Sequence, residues 1–140
     1  METDDVTLTF PPHPIWVRTA RDAVRAFLQA AGHHELIDTA TLLTSEAVTN
    51  AINACAAKHC TAPVTVTAGW RGAGCLSVLV RDEAPGLPEC RGATPYGNEN
   101  DAENGRGIHL ISYEARAWGV CTHGPGAGKG TWFELSRHQQ

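Results

Sequence analysis

The chain has 140 residues, 42% of them hydrophobic, and a formal net charge of −4. That length suits one domain around one core, read here as residues 1–140, and no apolar run is long enough to cross a bilayer. An acidic balance with no cluster of Lys or Arg argues against a nucleic-acid surface that works by releasing counterions. The start, METDDVTLTF, is acidic where a signal peptide is basic and has no apolar segment, so a cytoplasmic protein is expected. The five cysteines, Cys55, Cys60, Cys75, Cys90 and Cys121, form no CxxC pair and read as reduced thiols. Zinc held by these with His59 or His123 would lack any metal-binding spacing.

In chain order, VTLTF at 6–10 alternates polar and apolar residues and stops at Pro11 and Pro12, the pattern of a short edge strand. From Pro14 to Ala31, the residues Ile15, Val17, Ala20, Val24, Phe27 and Leu28 recur at helical spacing, and Gly32 supplies a stop. A second helical pattern runs from His34 to Lys58 through Leu36, Ile37, Ala40, Leu43, Ala47, Val48, Ala51 and Ile52. The period then changes to two: VTVTAGW at 64–70, a link containing Gly72 and Gly74, and CLSVLVRD at 75–82 predict a β-hairpin. Residues 83–104 are rich in Pro, Gly, Asn and acidic side chains without periodicity, the pattern of a long loop or lid. GRGIHLISYEARA leads into a third helix, and the strands WGVCTH and TWFELSR flank the loop GPGAGKG. Adjacent strands joined by short links point to an α+β two-layer sandwich: a mixed, mostly antiparallel sheet with helices on one face.

Three features carry chemistry. Glu46 and Asn50 lie one turn apart on the second helix, with Asn53 on the same face. An amide oxygen there suits Mg²⁺, which takes one or two protein oxygens beside waters and substrate phosphates, and the carboxylate can accept a proton from an attacking hydroxyl. The commoner meaning of such a pair is a solvated helix face. Asp82 ends its strand at the rim of the sheet, where a carboxylate can accept a hydrogen bond from an exocyclic amine, while Gly86 lets the chain approach a flat base. The plainer alternative is a strand-terminating turn, DEAPG. Gly105 and Gly107 open the third helix, so backbone N–H groups, with Arg106 beside them, can face an anion, although glycines before a helix often make only a turn.

Taken together and in order, LLTSEAVTNAIN, VRDEAPGLP, NGRGIHLI and GKGTWFEL resemble the N, G1 and G2 boxes and closing strand of the histidine-kinase-like (GHKL, Bergerat-fold) ATPases. The chain most resembles their small branch of bacterial anti-sigma-factor serine kinases, over nearly its full length. The resemblance implies ATP and Mg²⁺ as cofactors, Glu46 as general base and Asn50 as the Mg²⁺ ligand. It also implies that Asp82 recognises the adenine amine with Gly86 close to the base. Gly105 and Gly107 would shape the hinge of an ATP lid, with Arg106 near the phosphates, and Thr131 would support the adenine-binding aspartate. Two positions depart from the pattern: Ala84 replaces the first G1 glycine, and Ala54 stands where a histidine often follows the N-box asparagine. The implied activity is phosphorylation of an anti-anti-sigma antagonist by a homodimer that sequesters a sigma factor. The alternative is a nucleotide-responsive binding module without kinase activity.

Overall fold

A computed structural model describes residues 5–72, 74–84, 91–92, 117–122 and 128–136, with backbone alone for 91–92 and 121–122. β1 (Val6–Phe10) is followed by helix α1 (Trp16–Ala31), a 3₁₀ turn (His34–Leu36) and helix α2 (Ile37–Ala57). The hairpin β2 (Val64–Trp70) and β3 (Cys75–Asp82) comes next, then β4 (Arg91–Gly92), β5 (Ala117–Thr122) and β6 (Lys129–Ser136). The sheet order is β1-β2-β3-β6-β5-β4. The segment expected to be loop thus contains a two-residue strand, with Arg91 opposite Val120 and Gly92 opposite Gly119. The third predicted helix lies outside the described residues.

Every described pairing is antiparallel, so no mixed pairing occurs among the described residues. The reason is visible between β1 and β2. Two helices are inserted there, α1 of 16 residues and α2 of 21. One carries the chain across the sheet and the other brings it back, so β2 enters from the end where β1 left and runs against it. A single crossover helix would have given a parallel pair.

Both helices pack on one face. α1 buries Ala20, Val24 and Leu28 at helical spacing, and α2 buries Ala40, Leu43, Ala47, Val48, Ala51, Ile52 and Cys55. They meet the inward residues of the strands: Val64, Val66 and Ala68 of β2, Leu76, Val78 and Val80 of β3, and Phe133 and Leu135 of β6. Phe10 and Phe133 are almost wholly enclosed; burial of one such side chain stabilises the fold by about 1.5–3 kcal/mol. Phe10 stacks on Trp16 and Phe27 on Trp70, with ring centroids 6.0 and 5.8 Å apart, tying α1 to β1 and β2.

On β1 and β2 the opposite face carries threonines. Thr7 and Thr9 of β1 face Thr67 and Thr65 of β2, their hydroxyls 3.5 and 3.4 Å apart. α1 stops where Gly32 takes a left-handed conformation (φ 79°) and the His33 N–H bonds to the Leu28 carbonyl at 3.0 Å. Glycine adopts that conformation without the steric cost of a β-carbon.

Candidate functional site

The strand-end carboxylate is the best-defined part of the site. Alternation along β3 puts Leu76, Val78, Val80 and Asp82 on the helix-facing side, so the residue that ends the strand is drawn inward with the apolar ones. Asp82 is 3% exposed. Its Oδ1 accepts the Ala84 N–H at 3.0 Å and the Lys129 ammonium at 3.1 Å. The first contact is an Asx turn, so the strand-terminating turn and a buried carboxylate coexist in one residue. Ala84, in place of the G1 glycine, is itself buried and supplies that N–H. Burial pushes the Asp82 carboxyl above the usual carboxylate range, with Lys129 and the Ala84 N–H pulling the other way. Among the described residues Oδ2 accepts no hydrogen bond.

Lys129 was not singled out by the sequence. It reaches Asp82 because β3 and β6 pair with Asp82 opposite Lys129 and Val80 opposite Thr131. Thr131, buried on the same face, is diagonal to Asp82, and the β6 side chain that reaches the carboxylate is that of Lys129. The local signal was a lysine between two glycines at the start of a strand, which names a flexible entry but not a partner 47 residues away. Gly128 was missed as well. It has φ 81°, and a β-carbon on it would fall on the Asp82 carbonyl oxygen and within 2.7 Å of Glu83 Cα. The end of β3 and the start of β6 approach too closely there for any side chain.

α2 supplies the wall. Ala47, Val48, Ala51 and Ile52 are buried, while Glu46 and Asn50 are half-buried and Asn53 is exposed. The Asn50 amide nitrogen is shielded from solvent and has no hydrogen-bond partner among the described residues. Such a group costs about 1–3 kcal/mol unless a partner satisfies it, so an amide left open in this way fits a residue that completes its bonds on a ligand. The same helix reaches Asp82 through Cys55, whose thiol is pushed up to about 11 by burial and next by the Asp82 charge. The structure thus brings together α2, Asp82, Lys129 and Thr131 on one side of the sheet. Gly86, Gly105, Arg106 and Gly107 lie outside the described residues.

A depression of about 480 Å³ lies elsewhere, lined among others by Asp5, Ser77, Leu79, Trp132 and Glu134. None of the sequence-derived candidates lines it. The buried carboxylate and the unsatisfied amide lie on the other face.

The sequence profile of the histidine kinase-like ATPase domain family matches residues 10–121. The chain belongs to that family. The matched span runs from the end of β1 to β5 and includes Glu46, Asn50 and Asp82. The α+β architecture, an antiparallel sheet backed by helices on one face, agrees with membership. An ATPase domain family supports ATP as the ligand and an ATP-binding regulatory function. Comparison with curated proteins returned no match. Among the described residues no helix is long and apolar enough to cross a membrane, and no group of three or more His, Cys, Asp or Glu side chains could by itself hold a metal ion.

Proposed function

We propose that this ATPase-family domain is a cytoplasmic protein serine/threonine kinase of the anti-sigma type, which phosphorylates an anti-anti-sigma antagonist and, as a homodimer, sequesters a sigma factor. The observation that carries the nucleotide part is Asp82, a carboxylate 3% exposed whose Oδ1 is held by Ala84 and Lys129 and whose Oδ2 accepts no hydrogen bond among the described residues. A buried acceptor of that kind suits the exocyclic amine of adenine, which brings a donor and no charge.

Asn50 would hold Mg²⁺, whose contribution is to neutralise phosphate charge. Glu46, one turn before Asn50 and half-buried, takes the proton from the acceptor hydroxyl as its oxygen bonds to the γ-phosphorus and the bond to the ADP oxygen breaks. Transfer of this kind depends mainly on positioning and charge, so two or three well-placed groups suffice. Gly86, Gly105, Arg106 and Gly107 would line the nucleotide and lid, and Thr131 would support Asp82 from β6.

The test has two stages. ATP must first raise the melting temperature, because a ligand that binds only the native state stabilises it. Labelled ATP, Mg²⁺ and candidate antagonist proteins should then give label on a Ser or Thr of the antagonist, lost in Glu46→Ala. ATP binding without label on any antagonist would leave a nucleotide-responsive binding module. Turnover that persists in Glu46→Ala would remove Glu46 from its role.

A further inference from the structure

Two thiols that the proposed reaction does not use meet at the C-terminal end of α2. The helix ends at Ala57 with Lys58 as its cap, and His59 follows in the left-handed region at φ 55°. The His59 N–H bonds to the Ala56 carbonyl at 3.3 Å and the Cys60 N–H to the Cys55 carbonyl at 2.8 Å. These nested bonds around a left-handed residue form a Schellman motif, which characteristically brings the side chains at the two ends of the longer bond together. Here those side chains are Cys55 and Cys60, and the Cys60 thiol lies near enough to help hold the Cys55 proton. Cys55 is fully buried, whereas Cys60 is half-buried and open to solvent on one side. Cys75, which is in no disulfide, begins β3 at the end opposite Asp82.

We propose that Cys55 and Cys60 form a reversible disulfide under hydrogen peroxide, a modification site built into the C-terminal cap of α2. A disulfide asks for Cα atoms about 4.4–6.8 Å apart with the side chains converging. Two residues already joined by a backbone hydrogen bond across a Schellman cap need little backbone movement to meet that demand.

The exposures assign the order of events. Cys60, reachable from solvent, attacks peroxide as its thiolate: the S–O bond forms, the O–O bond breaks, and the departing hydroxide takes up a proton to become water. The Cys55 sulfur then attacks the Cys60 sulfur. The S–S bond forms, the S–O bond breaks, and the leaving hydroxide combines with the Cys55 proton as a second water. Two thiols are oxidised and one peroxide is reduced. Burial and the nearby Asp82 charge hold Cys55 in the protonated form, so it serves as the second, resolving sulfur rather than the first. A dithiol reductant reverses the bond by exchange. The proposal does not depend on the nucleotide reading.

The sequence makes the test direct. Trypsin cuts after Arg25, Lys58 and Arg71, so Cys55 and Cys60 fall in the peptides 26–58 and 59–71, each with a single cysteine. Reduced protein is treated with hydrogen peroxide, remaining thiols are blocked with N-ethylmaleimide, and the digest is analysed without reductant. The expected product is the two peptides joined, lighter than their sum by two hydrogens, separated by dithiothreitol and absent from Cys60→Ser. The same treatment in concentrated urea should give markedly less of it. The proposal is overturned if the two peptides stay apart while peroxide oxidises other thiols. It is equally overturned if Cys60 stops at the sulfinic acid, or if the link forms as readily in urea as in the folded protein.

Discussion

Replacing Asp82 by Asn changes charge without changing shape, and the structure states what each half of the side chain should do. Oδ1 keeps the Ala84 N–H and the Lys129 ammonium, at 3.0 and 3.1 Å, so the amide nitrogen takes the place of Oδ2. A donor then faces the donor amine of adenine. The charge-assisted bond is lost, about 1.5–3 kcal/mol, which corresponds to roughly a 10- to 150-fold weaker ATP affinity. GTP presents an acceptor where ATP presents the amine, so Asp82→Asn should lose far less affinity for GTP and shift the ATP:GTP preference. Stability should move the other way. Burial raises the Asp82 pKa in the folded state, so the folded protein binds that proton more tightly than the unfolded chain. The contribution is therefore fully present below the ordinary carboxyl range and is lost as pH rises through the raised value. At neutral pH the ionised carboxylate is a burden that asparagine lacks, and Asp82→Asn should melt no lower than the parent, with its advantage shrinking on acidification. Titration calorimetry with ATP and GTP, and melting curves from pH 4 to 8, measure both effects. Unchanged ATP affinity in a folded Asp82→Asn protein would refute the adenine assignment, and a lower melting temperature at neutral pH would refute the electrostatic one.

Three further substitutions test the frame. His59→Gly relieves a non-glycine left-handed residue, worth about 1–2 kcal/mol, against an unfolded-state entropy penalty of about 0.4–1 kcal/mol; the net should appear in a melting curve as a small rise. Gly128→Ala meets both a positive φ and the backbone of Asp82 and Glu83, and should lose at least about 1–3 kcal/mol in chemical denaturation. Thr44 is fully buried with a hydroxyl that has no partner among the described residues. Thr44→Val should therefore gain about 1 kcal/mol in denaturant unfolding, and a loss would mean that the hydroxyl is satisfied in solution.

Local chemistry explains how much of this fold was legible. The three strands at 6–10, 64–70 and 75–82 coincide with their predicted limits, because period-two alternation and flanking Pro or Gly are written within each segment. Helix ends were less clear. α1 begins at Trp16 rather than Pro14, since the His13 and Pro14 carbonyls first make a turn by accepting the Trp16 and Val17 N–H groups. The second helical pattern splits into a 3₁₀ turn and α2 because Leu36 offers no side-chain cap at the junction. The left-handed cap at His59 carried no glycine to announce it. At the site, the polar line of Glu46 and Asn50 and the strand-end position of Asp82 could be read directly. The Lys129 contact could not, because it is created by the register of β6 on β3, which no local pattern records.

The order of the strands also bears on how the molecule assembles. The β2–β3 hairpin and the α1–α2 pair join neighbours in the chain, and closing short loops is fast and costs little entropy. The docking of β6 on β3 must instead join Asp82 to a residue 47 positions later, and β1 must wait for both helices before it finds β2. The topology therefore predicts that these long-range pairings come late, and that the Asp82–Lys129 contact is among the last to mature. Substitutions at Gly128 or Lys129 should then speed unfolding far more than they slow refolding.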